Sequence, residues 1–233
     1  IKALAALGAS VNTPGNNGRT PVFTAAQMGH VDAIKALAAL GASVHTPAND
    51  GGTPVFIAAH NGHVDAIKAL AALGVSVNAP ENDGGTPVYI AAQNGHVDAI
   101  KALAALGASV HTPENDGYTP VHIAAQNGHV NAIKALAALG ASVHTPENNG
   151  FTPVHISAEN GHVDAIKALA GLGASVKTPA NDGCTPVSNA AHNGHVDAIK
   201  TLAALGGSVN TPANGGYTPV YIAAQNGHVD AIK

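Results

Sequence analysis

The chain has 233 residues, is 45% apolar but only 3% aromatic, and carries a formal net charge of −4 with 10% charged residues. Without Trp, its core must be built from Ala, Val, Ile and Leu, and with no basic surplus or local basic patch it offers nothing to nucleic-acid phosphates. No apolar run approaches the ~20 residues of a membrane span, and a lone cysteine, Cys184, excludes an intramolecular disulfide framework.

In chain order, Ile1 to Leu7 reads as the second helix of a unit whose first helix is absent, because Ile1 matches Ile34. Thr-Pro-Val then recurs at Thr20, Thr53, Thr86, Thr119, Thr152, Thr185 and Thr218, always 33 residues apart. Gly-His keeps the same beat from His30 to His228. A fixed period of this length marks a solenoid of stacked modules, each touching only its neighbours. The phase is never interrupted, so residues 1–233 are expected to form one continuous array of six to seven repeats, truncated inside a repeat at both ends.

The unit from Ala48 to Pro80 shows what one period dictates. Asn49-Asp50-Gly51-Gly52 is a turn signal, since these residues tolerate positive φ. Thr53 supplies an N-cap hydroxyl and Pro54 the first helical position, where a missing N–H costs nothing. A short helix is predicted from Pro54 to about Asn61, carrying Val55, Ala58 and Ala59 on one side, and Asn61-Gly62 ends it. A second helix is predicted from Val64 to Leu73, with Val64, Ile67, Leu70 and Leu73 as its apolar stripe and an Asp65–Lys68 pair outside. Gly74 stops it, Ser76-Val77-Asn78 is extended, and Pro80 precedes the next turn. At the end of the chain, Val229 to Lys233 reads as an aborted second helix.

The run Gly-x-Thr-Pro-Val-x-Ile-Ala-Ala-x-Asn-Gly-His, followed by Leu-Gly-Ala-Ser-Val-Asn, resembles the ankyrin repeat, with its 33-residue unit and Thr-Pro-Leu-His-x-Ala signature. The resemblance implies an all-α solenoid of helix-turn-helix units joined by β-hairpin-like finger loops. Three departures stand out: Val replaces Leu after Thr-Pro, the following His survives only at His122 and His155, and the Asp that often opens the finger is Gly, Ala or Glu. These departures leave the hydrogen bonding of the turn in question.

The 14 histidines invite a metal reading, but the Gly-His column is expected to satisfy backbone groups at the inter-helix turn. Stacked helices lie about 8–10 Å apart, so copies in one column cannot share an ion whose bonds to nitrogen are about 2.0–2.1 Å. The local pairs His60/His63 and His192/His195 lack an obvious third ligand. No metal, cofactor or catalytic group is expected, and Cys184 reads as an accidental surface thiol beside Asp182, which would hinder thiolate formation.

Variation between copies is where individual function could sit. The residue before Thr-Pro reads Arg19, Gly52, Gly85, Tyr118, Phe151, Cys184, Tyr217. A second column, near the end of the first helix, reads Gln27, His60, Gln93, Gln126, Glu159, His192, Gln225, and Asn follows it in six copies, as at Asn127. The resemblance places both columns on the concave surface that binds partners. The candidate contacts are therefore Arg19, Tyr118, Phe151, Tyr217, Gln126, Asn127, Glu159 and His192. The expected function is a non-enzymatic scaffold binding another protein, with a structural spacer of idle surface as the alternative. No nucleic acid or membrane partner is expected, weak head-to-tail self-association is, and the lone thiol with no Asn-x-Ser/Thr sequon points to an intracellular, cytoplasmic setting.

Overall fold

Threonine opens every short first helix, and asparagine closes all of them but the first, which ends at Met28. In a computed structural model that describes residues 1–233, the hydroxyls of Thr20, Thr53, Thr86, Thr119, Thr185 and Thr218 each accept the backbone N–H three residues on. The proline that follows fixes φ where no donor is needed. At the far end, Nδ2 of Asn61, Asn94, Asn127, Asn160 and Asn226 donates back to the carbonyl four residues earlier at 2.9 Å. That carbonyl also accepts the backbone N–H of the same asparagine, so the residue grips the last turn of the helix with two donors. Polar residues at both ends thus hold a seven-residue helix too short to be stable alone.

The chain is helical throughout, with no strand, and divides into two compact units, Ile1–Asn115 and Asp116–Lys233. Unit 1 holds α1 (Lys2–Ala6), α2 (Pro21–Gln27), α3 (Val31–Ala39), α4 (Pro54–His60), α5 (Val64–Ala72), α6 (Pro87–Gln93) and α7 (Val97–Ala105). Unit 2 holds α8 (Pro120–Gln126), α9 (Val130–Ala138), α10 (Pro153–Glu159), α11 (Val163–Gly171), α12 (Pro186–His192), α13 (Val196–Ala204), α14 (Pro219–Gln225) and α15 (Val229–Ile232). In unit 1 the short helices α2, α4 and α6 stack in sequence, as do the longer α3, α5 and α7. In unit 2 the same two layers are α8, α10, α12, α14 and α9, α11, α13, α15.

The buried faces follow the 3.6-residue period. Ile67 and Leu70 of α5 are fully buried, as are Ile100 and Leu103 of α7, and Ile133, Leu136, Ile166, Leu169 and Leu202 in unit 2. Each such side chain contributes roughly 1.5–3 kcal/mol by leaving water. The predicted stripe needs one correction: Leu73 is 37% exposed. It is the C-cap of α5, one residue past the last helical turn, so its side chain leaves the stripe, while Ala66 in the first turn is buried alongside Ile67 and Leu70. The predicted Asp65–Lys68 pair does not form. Its counterparts Asp164–Lys167 and Asp230–Lys233 do, at 3.9 and 3.8 Å in solvent, where such pairs contribute little.

Three sets of bonds run between neighbouring repeats, the third at only two places. Asparagines at the finger tips form a ladder: Asn82 donates its backbone N–H to Asp50 O and its Nδ2 to Asn49 O, and Asn181 does the same to Asn149 and Asn148. Gly-His imidazoles form a second: Nε2 of His63, His96, His162, His195 and His228 meets the last carbonyl of the previous short helix at 2.9–3.1 Å. A carbonyl can only accept, so Nε2 carries the proton in each. The expected turn-satisfying role of this column is refined by one repeat, since the carbonyl served belongs to the preceding unit. The third set runs through Asn12 and Asn78, whose Oδ1 accepts from Ser43 N and Ser109 N at 2.7 and 2.8 Å.

The finger loops resolve the question left by the missing Asp. Their backbone closes like a hairpin, for instance Ala180 N to Cys184 O at 2.8 Å and Glu147 N to Phe151 O at 2.9 Å, without reaching strand regularity. Where Ala opens the finger, Asp50 or Asp182 two residues later accepts the N–H of Gly52 or Cys184. Where Glu opens it, Glu147 accepts from both Asn149 N and Phe151 N. Different carboxylates therefore satisfy the same turn.

Candidate partner-binding surface

The variable residue before each Thr-Pro packs on the residue four positions later, the third of the short helix. Arg19 lies 5.2 Å from the Phe23 ring, Tyr118 5.5 Å from His122, Phe151 5.6 Å from His155, and Tyr217 4.7 Å from Tyr221. Tyr118 and Phe151 are therefore half-buried, not free anchors, and only Tyr217 stands open at 49% exposure. At Gly52 and Gly85 the ring is supplied by Phe56 and Tyr89 alone.

His122 and His155, like Ser157 of the same layer, are fully buried polar groups. Nδ1 of His122 accepts the Thr119 backbone N–H at 3.2 Å and lies 2.8 Å from Thr119 Oγ1, while Nε2 reaches Phe151 O at 3.1 Å in the next repeat. His155 repeats the pattern with Thr152 and Cys184 O. A backbone N–H must donate, so Nδ1 is the unprotonated nitrogen and Nε2 donates onward. Burial dominates their titration: it lowers both from the ordinary 6.5 to about 4, against smaller opposing effects of the accepting carbonyls and Glu147.

In unit 2 a cavity of about 250 Å³ opens between consecutive repeats, with Phe151, Glu159, Asp182, Cys184, Ser188 and Asn189 on its walls. His192 and Ile222 also border it. Its origin is visible in the pairing just described. Every other copy places at least one ring in the finger-to-helix pair, but here both members are small, Cys184 and Ser188. Asn189 further replaces the Ile of α4, α6, α8, α10 and α14.

Of the sequence-derived candidates, the structure brings Phe151, Glu159 and His192 to this one cavity. Tyr118, Gln126, Asn127 and Tyr217 belong to unit 2 but not to its walls, and Arg19 lies in unit 1 beside a separate, open depression with Gln27 and Met28. Asn127 has a structural duty as well, since its carboxamide caps α8 on Ile123 O. Sequence reasoning missed Ser188 and Asn189; the signal was their departure from the column, which reads as drift when taken one residue at a time. Cys184 is also not the surface thiol expected, being half-buried on the cavity wall. Burial and then the charge of Asp182 and its hydrogen bond push its pKa up to about 11, so it is held as the neutral thiol.

Family models for ankyrin repeats match residues 1–38, 40–114, 106–180 and 172–233. The chain belongs to the ankyrin-repeat family. Among solved structures, the ankyrin repeat domain of human ASB11 is similar at 29% identity and a TM-score of 0.80, over 88% of this chain and 92% of that one. A search of curated protein sequences gives no significant match. Ankyrin-repeat domains are generally non-enzymatic modules that bind other proteins. No helix of this ankyrin-repeat chain is long and apolar enough to cross a membrane, and no three His, Cys, Asp or Glu side chains converge as a metal site would require.

Proposed function

We propose that this ankyrin-repeat chain is an interaction scaffold that holds another protein against the surface formed by its finger loops and short helices in unit 2. The observation that carries the reading is the meeting of Phe151, Glu159 and His192, from three different elements, around one cavity. Rings at Tyr118 and Phe151 are partly exposed beside polar side chains, the mixture that interface centres favour. Their seats on His122 and His155 preorganise them, so less rotamer freedom is lost on binding. The lone thiol agrees with a reducing, intracellular setting. The unbroken 33-residue sequence phase supports treating the two units as parts of one array.

In a pull-down from the source cell, Tyr118→Ala combined with Phe151→Ala should weaken capture of the specific partner at least tenfold. Unchanged capture by the doubly substituted protein would move the site elsewhere. A spacer role is the second reading, favoured locally by unit 1, where the finger column is Arg19, Gly52 and Gly85 and presents little side chain. A pull-down without any specific partner would leave that reading in place.

Weak head-to-tail self-association also belongs to this proposal. Leu4 and Leu7 beside α1 are exposed, as are Val220, Val229 and Ile232 around α14 and α15. Apolar faces of different kinds pair without closing on themselves. Sedimentation of the 1–233 polypeptide across a hundredfold concentration range should show a rising average mass; a constant monomer mass would refute it.

A further inference from the structure

Asn189 is the one position in unit 2 where the buried column of the short helices turns polar without receiving a partner. It is only 9% exposed, yet its carboxamide makes no hydrogen bond within the protein and reaches solvent only by way of the cavity. No fully buried side-chain polar atom of the protein lacks a partner, so this carboxamide is reached through the cavity, and its donors and acceptor are open to an external group. Around it the charges are one-sided. Glu159 and Asp182 both lie on the wall, and neither is paired with a cation. Asp182 is held in place by the Cys184 N–H at 2.9 Å, whereas Glu159 is exposed and free to turn. Phe151 and Ile222 give the same cavity apolar flanks.

We infer that this cavity receives one arginine side chain from an extended segment of the partner protein. The inference rests on the scaffold reading above and names what the scaffold recognises. A guanidinium is flat, permanently charged and rich in donors, so it can meet two carboxylates and an amide oxygen while its face rests on an aromatic ring. Its three-methylene stem suits the apolar flanks. An engineered cavity of roughly 150 Å³ admits benzene, so about 250 Å³ has room for one long side chain. Lysine would supply charge without the planar fork, and a neutral amide would leave both carboxylates unanswered.

The test uses the full chain and four blocked tripeptides, acetyl-Gly-X-Gly-amide with X as arginine, lysine, citrulline or norleucine. Each is titrated to millimolar concentration while the Asn189 carboxamide and Cys184 amide signals are followed by NMR. The arginine probe should move both signals saturably, at least tenfold more tightly than citrulline or norleucine and more tightly than lysine. Glu159→Gln should weaken it about fivefold. Asn189→Ile, which restores the residue of the neighbouring repeats and should raise the melting temperature, should abolish it in a folded protein. No shift with arginine, equal binding of arginine and citrulline, or full binding by the Asn189→Ile protein overturns the inference. So does tighter binding of free arginine than of the peptide, which would make the site one for a small molecule. A partner lost with Tyr118→Ala and Phe151→Ala but kept with Asn189→Ile would refute this pocket and leave the scaffold standing. Arginine binding in a chain that captures no partner would do the reverse.

Discussion

Acidification from pH 6.5 to pH 4 should strip the protein of stability through two imidazoles. His122 and His155 are neutral in the fold, with pKa values lowered to about 4, while in the unfolded chain they return to the ordinary 6.5. A group whose folded pKa is depressed contributes its full stability above the unfolded value. As the pH falls, the unfolded chain takes up protons that the fold refuses, and the loss is complete near the folded pKa. Each histidine then accounts for about 3 kcal/mol across the window. The neutral state is required because Nδ1 already accepts the threonine N–H, so protonating it breaks the network that caps α8 or α10. Glu81 in unit 1 works in the opposite sense: burial, followed by the charges of Asp83, Asp50 and Glu114, raises its pKa, so acid relieves it. The decisive comparison is therefore one of slopes. Denaturant melts of the parent and of a His122→Phe/His155→Phe protein, which borrows the Phe of position 56, should diverge between pH 6.5 and 4, the parent falling faster. Parallel slopes would show that the two imidazoles titrate normally.

Gly150→Ala should destabilise unit 2 by about 3 kcal/mol, far more than the same change at Gly173. Both glycines have φ near +90°, a conformation that is unfavourable by about 1–2 kcal/mol for a residue bearing a Cβ. Around Gly173 a Cβ would meet nothing within 4 Å. At Gly150 it would lie 2.6 Å from Asn181 Oδ1 and 2.7 Å from Asn181 N, the carboxamide and the backbone N–H of the residue that carries the finger ladder into the next repeat. Backbone cannot swing aside as a side-chain tip can, so Asn181 must give up its bonds to Asn149 and Asn148. Thermal melts of the two single variants separate the contributions: Gly173→Ala reports the φ strain alone, and the excess at Gly150 reports the ladder. Equal losses at both sites would mean the ladder contributes nothing.

Most of the repeat was legible in the sequence because its signals are local. Thr-Pro, Asn-Gly and the Ile/Leu spacing each act within a turn or two of helix, and α4 and α5 begin where Thr53-Pro54 and His63-Val64 place them. Leu73 was misplaced because a C-cap residue shares its composition, but not its direction, with the stripe before it. What spacing cannot show is a bond to the neighbouring copy. Asn82 reads as a turn residue, and His96 as a residue serving its own turn, until the preceding repeat stands beside them. The candidate surface was half legible for the same reason. Chemical variety singles out the finger column, but in the sequence Tyr118 and Phe151 read as exposed because the rings they lean on lie four residues away on another element. Ser188 and Asn189 escaped notice because a cavity arises from what side chains fail to fill.

The bonds between repeats have a further consequence. They join residues at fixed separations of 29, 31, 32, 33 or 36 positions, donor to acceptor of the same two columns in each set. Each unit is therefore a one-dimensional crystal whose lattice vector is a stretch of chain. Deleting or inserting a whole period returns every donor to an equivalent acceptor, whereas any other length leaves all three ladders out of phase at once. The same translational equivalence makes docking degenerate: a helix pair that meets the wrong copy finds nearly the same bonds waiting. Only Arg19, Tyr118, Phe151, Cys184 and the few other departures tell one lattice point from the next, so the residues that give the surface its chemistry also give the folding chain its sense of place.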